Sequence, residues 1–408
     1  MTLLAFASLA AWIYLTFARR GVWLASERLA SHWRRAVPAA GWPAVATVTP
    51  ARDEATSVGE TVRRLVGSDY PGPLTVTVVD DASSDGTAEI ARAAAAAVGA
   101  AGVAFDVVAA PARPDGWSGK LNALAAGVAH AEGRAHAHSN TRRGGAPTYL
   151  LFVDADIALA PDAVRALVAK AEAEGLALAS LMARLDARGL WGRLLIPAFV
   201  YFFQKLYPFP ASNDPASPVA AAAGGCVLVR ADALKAEGGI AAIRGELIDD
   251  CALAALIKRG GGGRRIWLGL ADDEAVSQRD NRKLASVWTM VARTAFAQLG
   301  RSWPALAGAT LGMLIVYAAP PLCFVLGLQN ANAFAAGFGA AAWGLMATTY
   351  APTATLYRAG PLAILALPIA GALYAAMTVW SGVEHARGRG GRWKGRTHAG
   401  ELGSPPTG

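Results

Sequence analysis

Charged residues are scarce in this chain of 408 residues: Asp, Glu, Lys and Arg together make up 17%, against about 25% in typical soluble proteins. Cysteine is also rare, and Cys226, Cys251 and Cys323 form no pair at metal-ligand spacing and no disulfide framework. Apolar residues, in contrast, reach 54%, with 44 glycines besides. This composition excludes a disordered chain, a disulfide scaffold and a collagen-like repeat. A membrane protein or an unusually apolar soluble protein remains.

The charge is absent from two long stretches and concentrated beside them. Residues 1–17 carry no charge, and residues 304–383 carry only Arg358. Residues 37–303 are neutral, with 27 basic and 27 acidic side chains, so the net charge of +8 comes from the flanks at 18–36 (+4) and 384–408 (+3) together with Arg358 (+1). A nucleic-acid-binding domain would itself carry a basic patch, whereas basic residues beside apolar segments suit anionic lipid headgroups. We therefore expect a membrane partner and no nucleic acid.

The order of charge and apolar residues predicts the topology. Arg19 and Arg20 follow the first apolar run, whereas a secretory signal has its positive charge before the apolar region. We expect an uncleaved anchor and a cytoplasmic main domain in a multi-pass protein of a bacterial-type inner (cytoplasmic) membrane. The C-terminal block predicts spans near 304–328, 333–351 and 361–383, each of about 20 residues. Three spans would place the basic tail outside, and the alternative is a re-entrant or broken segment at residues 319–321, which gives an even number of crossings.

The neutral stretch has the pattern of an α/β domain. Apolar, β-branched runs at 42–49, 74–79, 105–109 and 149–153 predict strands, and helical sequences lie between them. Such alternation predicts right-handed crossovers in a doubly wound sheet. Ligands of these sheets bind beyond the carboxyl ends of the strands, so polar residues at those ends are the first candidates for a site.

Three acidic clusters lie at predicted strand ends or just before a helix, at residues 80–81, 154–156 and 249–250. Neighbouring carboxylates repel one another, so such clusters persist most readily around a cation or a ligand rich in hydrogen-bond donors. The Asp-x-Asp of residues 154–156 offers hard oxygen ligands for Mg²⁺ or Mn²⁺, whose remaining ligands are typically phosphates and water. These clusters predict a site for a metal ion and a phosphorylated ligand.

The motifs in this order resemble processive-type family-2 glycosyltransferases over about residues 45–270. The matching segments are 50–54 (PARDE), 79–87 (VDDASSDGT), 119–124 (GKLNAL), 154–156 (DAD), 224–226 (GGC) and 249–253 (DDCAL). With the apolar anchors and residues 290–299 (MVARTAFAQL), the whole chain resembles the hopene-associated glycosyltransferases, which are found with hopanoid biosynthesis.

The resemblance implies a GT-A-type doubly wound mixed sheet that binds a nucleotide-sugar donor, of the UDP type, together with a divalent cation (Mg²⁺ or Mn²⁺). The implied contacts with the nucleotide are Asp53 and Glu54, and Asp81 would contact its nucleobase. Lys120 would lie near the ribose or diphosphate, and Asp154 at the ribose and diphosphate. Asp249 would bind the donor beside the catalytic base. Asp156, with Asp154, would hold the metal. Asp250 corresponds to the family's general base, which makes it the implied catalytic residue.

Two departures from the family pattern bear on the reaction. The usual Glu-Asp pair is Asp249-Asp250 here, so the second carboxylate is retained. The family's Gln-x-x-Arg-Trp motif is not present as such; Gln298 and Arg301 form a degenerate candidate, and Arg293 is another candidate diphosphate contact. The resemblance therefore favours a single transfer to a lipid over long polymer synthesis.

The sequence thus predicts a membrane-bound inverting glycosyltransferase that moves a sugar to a lipid acceptor, a hopanoid or another isoprenoid lipid. The alternatives are sugar transfer to polyprenyl phosphate and an inactive membrane scaffold or lipid transporter with a glycosyltransferase-like domain. The predicted organisation is a transmembrane anchor (1–20), a basic juxtamembrane segment (21–43), the GT-A domain (44–270), interfacial helices (271–303), about three transmembrane helices (304–383) and a basic disordered tail (384–408).

Overall fold

The computed structural model describes residues 1–99, 102–137, 146–261 and 263–390, so most of the predicted basic tail lies outside the described residues. Within them, the strands are β1 (Val45–Ala51), β2 (Leu74–Asp80), β3 (Ala104–Ala109), β4 (Tyr149–Val153), β5 (Ile157–Leu159), β6 (Leu176–Met182), β7 (Cys226–Arg230), β8 (Arg265–Leu270) and β9 (Ala275–Ser277). The α-helices are α1 (Thr2–Phe17), α2 (Val58–Val66), α3 (Thr87–Val98), α4 (Gly119–Ala137), α5 (Ala163–Glu174), α6 (Gly189–Leu206), α7 (Phe209–Asn213), α8 (Ala231–Ala236), α9 (Asp249–Arg259), α10 (Leu284–Gln298), α11 (Trp303–Met313), α12 (Ala319–Gln329), α13 (Ala333–Leu356), α14 (Pro361–Leu365) and α15 (Leu367–Ala386).

The chain divides into two compact units. The sheet unit consists of Glu27–Leu185 and Ala211–Arg279, and it contains all the strands named above. The helical unit consists of Met1–Ser26, Asp186–Pro210 and Asp280–Gly408. Both units are therefore assembled from segments that are separated in sequence.

The main sheet of the sheet unit has seven strands in the order β3-β2-β1-β4-β7-β6-β8. Strands β1 to β4 are mutually parallel, β7 is antiparallel to both β4 and β6, and β6 is parallel to β8. The predicted α/β mixed sheet is thereby confirmed. Strand β1 extends through Pro50 to Ala51, past the predicted end at 49, because it stays paired with β2 along its whole length.

Helices cover both faces of this sheet, and the alternation of side chains along the strands explains why. In β4, Tyr149, Leu151 and Val153 contribute to one buried cluster, whereas Leu150 and Phe152 contribute to the other. Residues of α2, α3 and α5 fill the first cluster, and residues of α4, α8 and α9 fill the second. Burial on both faces is the reason why these strands read as continuous apolar runs.

The helical unit contains an apolar helix that continues through two prolines. Helices α11 and α12 are joined by a π-helical turn at Leu314–Ala318, directly before Pro320 and Pro321. Pro320 has no backbone N–H to offer the carbonyl of Val316, and the indole Nε1 of Trp12 donates to that oxygen instead, at 2.7 Å. The proline pair thus marks a π-helical turn, and the segment is not broken there.

The continuous helix Trp303–Gln329 has 27 residues and contains an 18-residue window with a mean hydropathy of 2.1, so by length and composition it is able to cross a membrane. It is the single helix in the described part of the chain that meets this standard. Helix α1 is apolar but has 16 residues, about 24 Å at 1.5 Å per residue, against a hydrocarbon core of about 30 Å. The several transmembrane helices predicted from the sequence are therefore not confirmed as a set.

Candidate functional site

Three parallel strands of the sheet unit deliver the predicted site residues to one edge. Strands β1, β2 and β4 end at Ala51, Asp80 and Val153, and residues 52–54, 81 and 154–156 follow directly. Since the carboxyl ends of parallel strands meet at one edge, motifs that are about 30 to 100 residues apart in sequence meet there, as the doubly wound fold predicts.

The first two motifs are held together by hydrogen bonds between their loops. Asp53 has a positive φ of 49°, and its backbone N–H donates to Ser83 Oγ at 3.0 Å, while its Oδ1 accepts from the backbone N–H of Ser84 at 2.9 Å. Arg52 donates from Nη1 to the backbone oxygen of Asp81 at 2.6 Å, and the Asp81 side chain is buried. The structure therefore brings Asp53 and Asp81 together, beside Glu54, whose N–H donates to Thr87 Oγ1 at 2.9 Å.

Lys120, the second residue of α4, joins two of the acidic clusters. Its Nζ lies 2.9 Å from Asp154 Oδ1 and 3.0 Å from Asp249 Oδ2. Burial alone would lower the pKa of Lys120, but the carboxylates of Asp154 and Asp249 outweigh it and raise that pKa above its ordinary value. Lys120 is therefore a fixed positive charge, which suits a contact with phosphate oxygens.

Asp250 lies at the start of α9, next to Asp249. Its Oδ2 accepts from the backbone N–H of Gly224 at 2.8 Å, and its Oδ1 accepts from that of Cys251 at 2.8 Å. Burial and the neighbouring Asp249 carboxylate raise the pKa of Asp250 to about 6, against the opposing effect of Lys120. A carboxylate with a pKa in this range is able to accept a proton near neutral pH.

Gly224 allows this close arrangement. A Cβ at this position would lie 3.3 Å from Asp250 Oδ2 and 3.4 Å from Lys120 Nζ. Its neighbour Gly225 accepts a backbone hydrogen bond from Asp154 at 3.3 Å. The backbone of the glycine pair therefore lies next to Asp250, the predicted catalytic base, and next to Lys120 and Asp154, the predicted diphosphate contacts.

Asp156 is buried and its side chain has two donors. Ser277 Oγ donates to Asp156 Oδ2 at 3.1 Å, and Arg279 Nε donates to the same oxygen at 2.6 Å. Strand β5 begins one residue after Asp156 and pairs with β9, which brings residues 277–279 to this carboxylate. Arg279 is a site residue that the sequence reasoning missed, because nothing in the sequence signals a pairing of two three-residue strands so far apart.

The predicted metal ligands are two carboxylates, so a divalent cation on them would take most of its ligands from the donor and water. Within residues 1–99, 102–137, 146–261 and 263–390, no three or more His, Cys, Asp or Glu side chains group in a way that could hold a metal ion. Asp154 and Asp156 would therefore be the protein's share of the ligands, whereas Mg²⁺ takes about six oxygens and commonly fills its shell with substrate phosphates and water.

The remaining predicted donor contacts belong to the helical unit. Arg293 and Gln298 lie on α10, whose predicted helical character is confirmed. Gln298 Oε1 accepts from the Tyr207 hydroxyl at 2.7 Å, and Arg301 follows the helix with a positive φ of 56°. Their assignment to the donor stays a prediction.

Solved glycosyltransferase structures resemble this chain. The mannosyltransferase PcManGT from Pyrobaculum calidifontis, in complex with GDP-Man and Mn²⁺, has a TM-score of 0.53 at 22% identity, over 94% of this chain and 98% of that one. Glucosyl-3-phosphoglycerate synthase from Mycobacterium tuberculosis, in complex with Mg²⁺ and UDP, has a TM-score of 0.38 at 19% identity, over 63% of this chain and 80% of that one. The likeness to PcManGT shows a shared GT-A-like mixed sheet fold.

The sequence comparisons agree with the fold. No curated protein matches the chain, but residues 47–238 match the family model described as glycosyl transferase family 2. That match contains the segments 50–54, 79–87, 119–124, 154–156 and 224–226, whose residues the structure gathers at one edge of the sheet. The chain is therefore a glycosyltransferase, and its residues 47–238 match the family 2 model.

Proposed function

We propose that this chain is a membrane-bound inverting glycosyltransferase that moves a sugar from a UDP-type nucleotide-sugar donor to a lipid acceptor, a hopanoid or another isoprenoid lipid. The observation that carries the reaction is the environment of Asp250: a carboxylate whose pKa is raised to about 6 and which borders Gly224 together with Lys120. A base and a fixed cation side by side are what the transfer of a sugar from a diphosphate requires.

In the proposed reaction, Asp250 accepts the proton of the acceptor hydroxyl while the hydroxyl oxygen forms a bond to the anomeric carbon of the sugar. The bond from that carbon to the diphosphate oxygen breaks, and the electron pair leaves with the nucleoside diphosphate. Attack from the side opposite to the leaving group inverts the anomeric centre. The protonated Asp250 then returns its proton to solvent.

The leaving diphosphate gains negative charge, and we assign its stabilisation to Lys120, which Asp154 and Asp249 hold in place at 2.9 and 3.0 Å. Asp53, Glu54 and Asp81 bind the nucleotide portion in this proposal. Asp156, with Asp154, would hold Mg²⁺ or Mn²⁺, which would supply positive charge at the diphosphate. The Mn²⁺ and GDP-Man of the PcManGT structure support this assignment.

The membrane part of the proposal is supported by the surface of the helical unit. Large apolar side chains are exposed on its helices, among them Leu3 (83%), Phe6 (56%), Leu322 (57%) and Phe334 (71%). Exposed apolar surface of this extent marks a contact with lipid or protein, and the basic residues flanking the apolar segments favour lipid headgroups. We therefore place the chain in the cytoplasmic membrane, with the sheet unit on the cytoplasmic side.

The test is a screen of radiolabelled UDP- and GDP-sugars against membranes that contain the chain, followed by lipid extraction. We expect label in the lipid fraction from a UDP-sugar, as a glycoside that is stable to mild acid. An acid-labile product would instead indicate a sugar phosphate on a polyprenyl carrier. Absence of lipid label from every donor, compared with membranes that lack the chain, would contradict the proposal.

A further inference from the structure

The predicted metal ligand Asp156 forms a salt bridge with Arg279, a cationic side chain of the same chain. Arg279 Nε lies 2.6 Å from Asp156 Oδ2, and Arg279 Nη2 lies 3.9 Å from Glu54 Oε1. The guanidinium thus lies between a carboxylate assigned to the metal and one assigned to the nucleotide. Burial would lower the pKa of Arg279, but Asp156, Asp154 and Glu54 outweigh it and raise that pKa, so these three carboxylates already have a counter-charge.

The guanidinium and a divalent cation would compete for Asp156. The Asp156 side chain is 7% exposed and its Oδ2 accepts from both Ser277 and Arg279, so little of it remains open to a metal. Two cations that share one buried carboxylate would also repel each other at short distance. Occupation of Asp156 by one therefore weakens the binding of the other.

The Arg279 side chain can move away from Asp156, because it is partly exposed to solvent. It is 46% exposed, and Arg279 follows β9 at the very end of the sheet unit. A guanidinium binds phosphate oxygens through two parallel N–H bonds, so an incoming diphosphate offers it a second anionic partner in place of Asp156.

We propose that Arg279 competes with the divalent cation for Asp156: the guanidinium holds this carboxylate while the donor is absent and releases it when the diphosphate binds. Cation binding then depends on the donor, so the donor-free enzyme binds metal weakly. This inference rests on the proposed function, because it takes Asp156 as the metal ligand of that site.

The experiment titrates Mn²⁺ alone into the purified full chain and follows free Mn²⁺ by electron paramagnetic resonance. Arg279→Gln removes the competing charge, and we expect it to tighten Mn²⁺ binding in the absence of donor by about tenfold. Arg282→Gln is the matched control, since Arg282 is an exposed arginine paired with Asp280 at 2.8 Å. It should bind Mn²⁺ as the wild type does.

Arg279→Lys provides a second variant in case the glutamine variant does not fold. A lysine keeps the charge but loses the fork of donors, so we expect Mn²⁺ affinity between those of the wild type and the glutamine variant. Equal affinity in all folded forms, or no Mn²⁺ binding by any of them, would overturn the inference. Sugar transfer is measured separately: its absence in the wild type would contradict the proposed function while leaving the Mn²⁺ comparison readable.

Discussion

At the residue scale, the surroundings of Asp250 determine the pH range in which the enzyme is expected to work. The carboxylate is partly buried beside Asp249, and both effects favour its neutral form and raise its pKa to about 6. The backbone N–H groups of Gly224 and Cys251 favour the charged form and keep the carboxylate oriented. Near neutral pH, Asp250 can therefore both accept and release a proton.

The first prediction concerns pH. Because a base must be unprotonated to act, kcat should fall by about tenfold per pH unit below the pKa of Asp250, that is, below about pH 6. The same raised pKa means that the folded state holds this proton more tightly than the unfolded state does. Ionisation of Asp250 therefore lowers the free energy of unfolding as the pH rises through about 6. The measurement is kcat at saturating donor and acceptor as a function of pH. A flat profile between about pH 5 and pH 8 would remove Asp250 from the role of base.

The second prediction concerns Gly224. A methyl group from Gly224→Ala would lie 3.3 Å from Asp250 Oδ2 and 3.4 Å from Lys120 Nζ, so these side chains must shift. We expect kcat to fall by about tenfold with little change in melting temperature, because a small displacement of a reacting group is costly to the rate. Gly133→Ala on α4 is the control, since its Cβ meets nothing within 4 Å. Equal kcat for the two variants would show that the Gly224 contact does not matter for transfer.

Sequence reasoning predicted the individual residues of the site unevenly. The three acidic clusters and Lys120 were identified from motifs, and the structure brings Lys120 between Asp154 and Asp249. Arg279 was missed because its contact with Asp156 depends on a pairing across about 120 residues. Long-range pairing of such short strands leaves no local pattern to read.

At the scale of elements, helix α9 links the predicted base to the loop that precedes the glycine pair. Its first turn carries Asp249 and Asp250, and its last turn carries Lys258. Lys258 Nζ donates to the backbone oxygens of Ser212, Asp214 and Val219, at 2.6, 2.9 and 2.6 Å. This ammonium group fixes residues 212–219, which lead into Gly224.

The third prediction is that Lys258→Met destabilises the chain and weakens catalysis. Its removal leaves several backbone carbonyls without their donor, a loss of about 1 to 3 kcal/mol for a buried group, and loosens the segment before Gly224. We expect a lower melting temperature and a higher KM for the acceptor. Lys235→Met on α8 is the matched control, because Lys235 is exposed. A Lys258→Met chain that melts and turns over as this control does would contradict the assignment.

Elements were predictable where their pattern is local. The apolar strands β1, β2 and β4 and helix α10 follow from sequence periodicity. The continuation of the helix through Pro320 could not be read from the sequence, because Trp12, about 300 residues earlier, donates to the Val316 carbonyl that Pro320 leaves without a partner. A proline in an apolar segment therefore reads as a break until its tertiary partner is known.

At the scale of the whole molecule, the composition separates into charge-balanced and apolar regions. Residues 37–303 balance 27 basic and 27 acidic side chains, and the apolar stretches lie outside them. The sequence did not reveal that Asp186–Pro210 belongs to the helical unit, because the choice between two hydrophobic partners for a helix depends on tertiary packing. The α/β class itself was predictable, since both faces of the parallel strands are buried and each strand is correspondingly apolar.

The central claim is that Asp250 is the base of a sugar transfer, and the most direct test compares transfer with donor binding in Asp250→Asn. An amide cannot accept the proton but keeps the size of the side chain, so we expect transfer to fall by at least about a thousandfold while the Kd for the nucleotide-sugar donor stays within about threefold of wild type. Asp232→Asn, at an exposed aspartate paired with Arg230, should retain full activity. Transfer by Asp250→Asn at a near-normal rate would contradict the account.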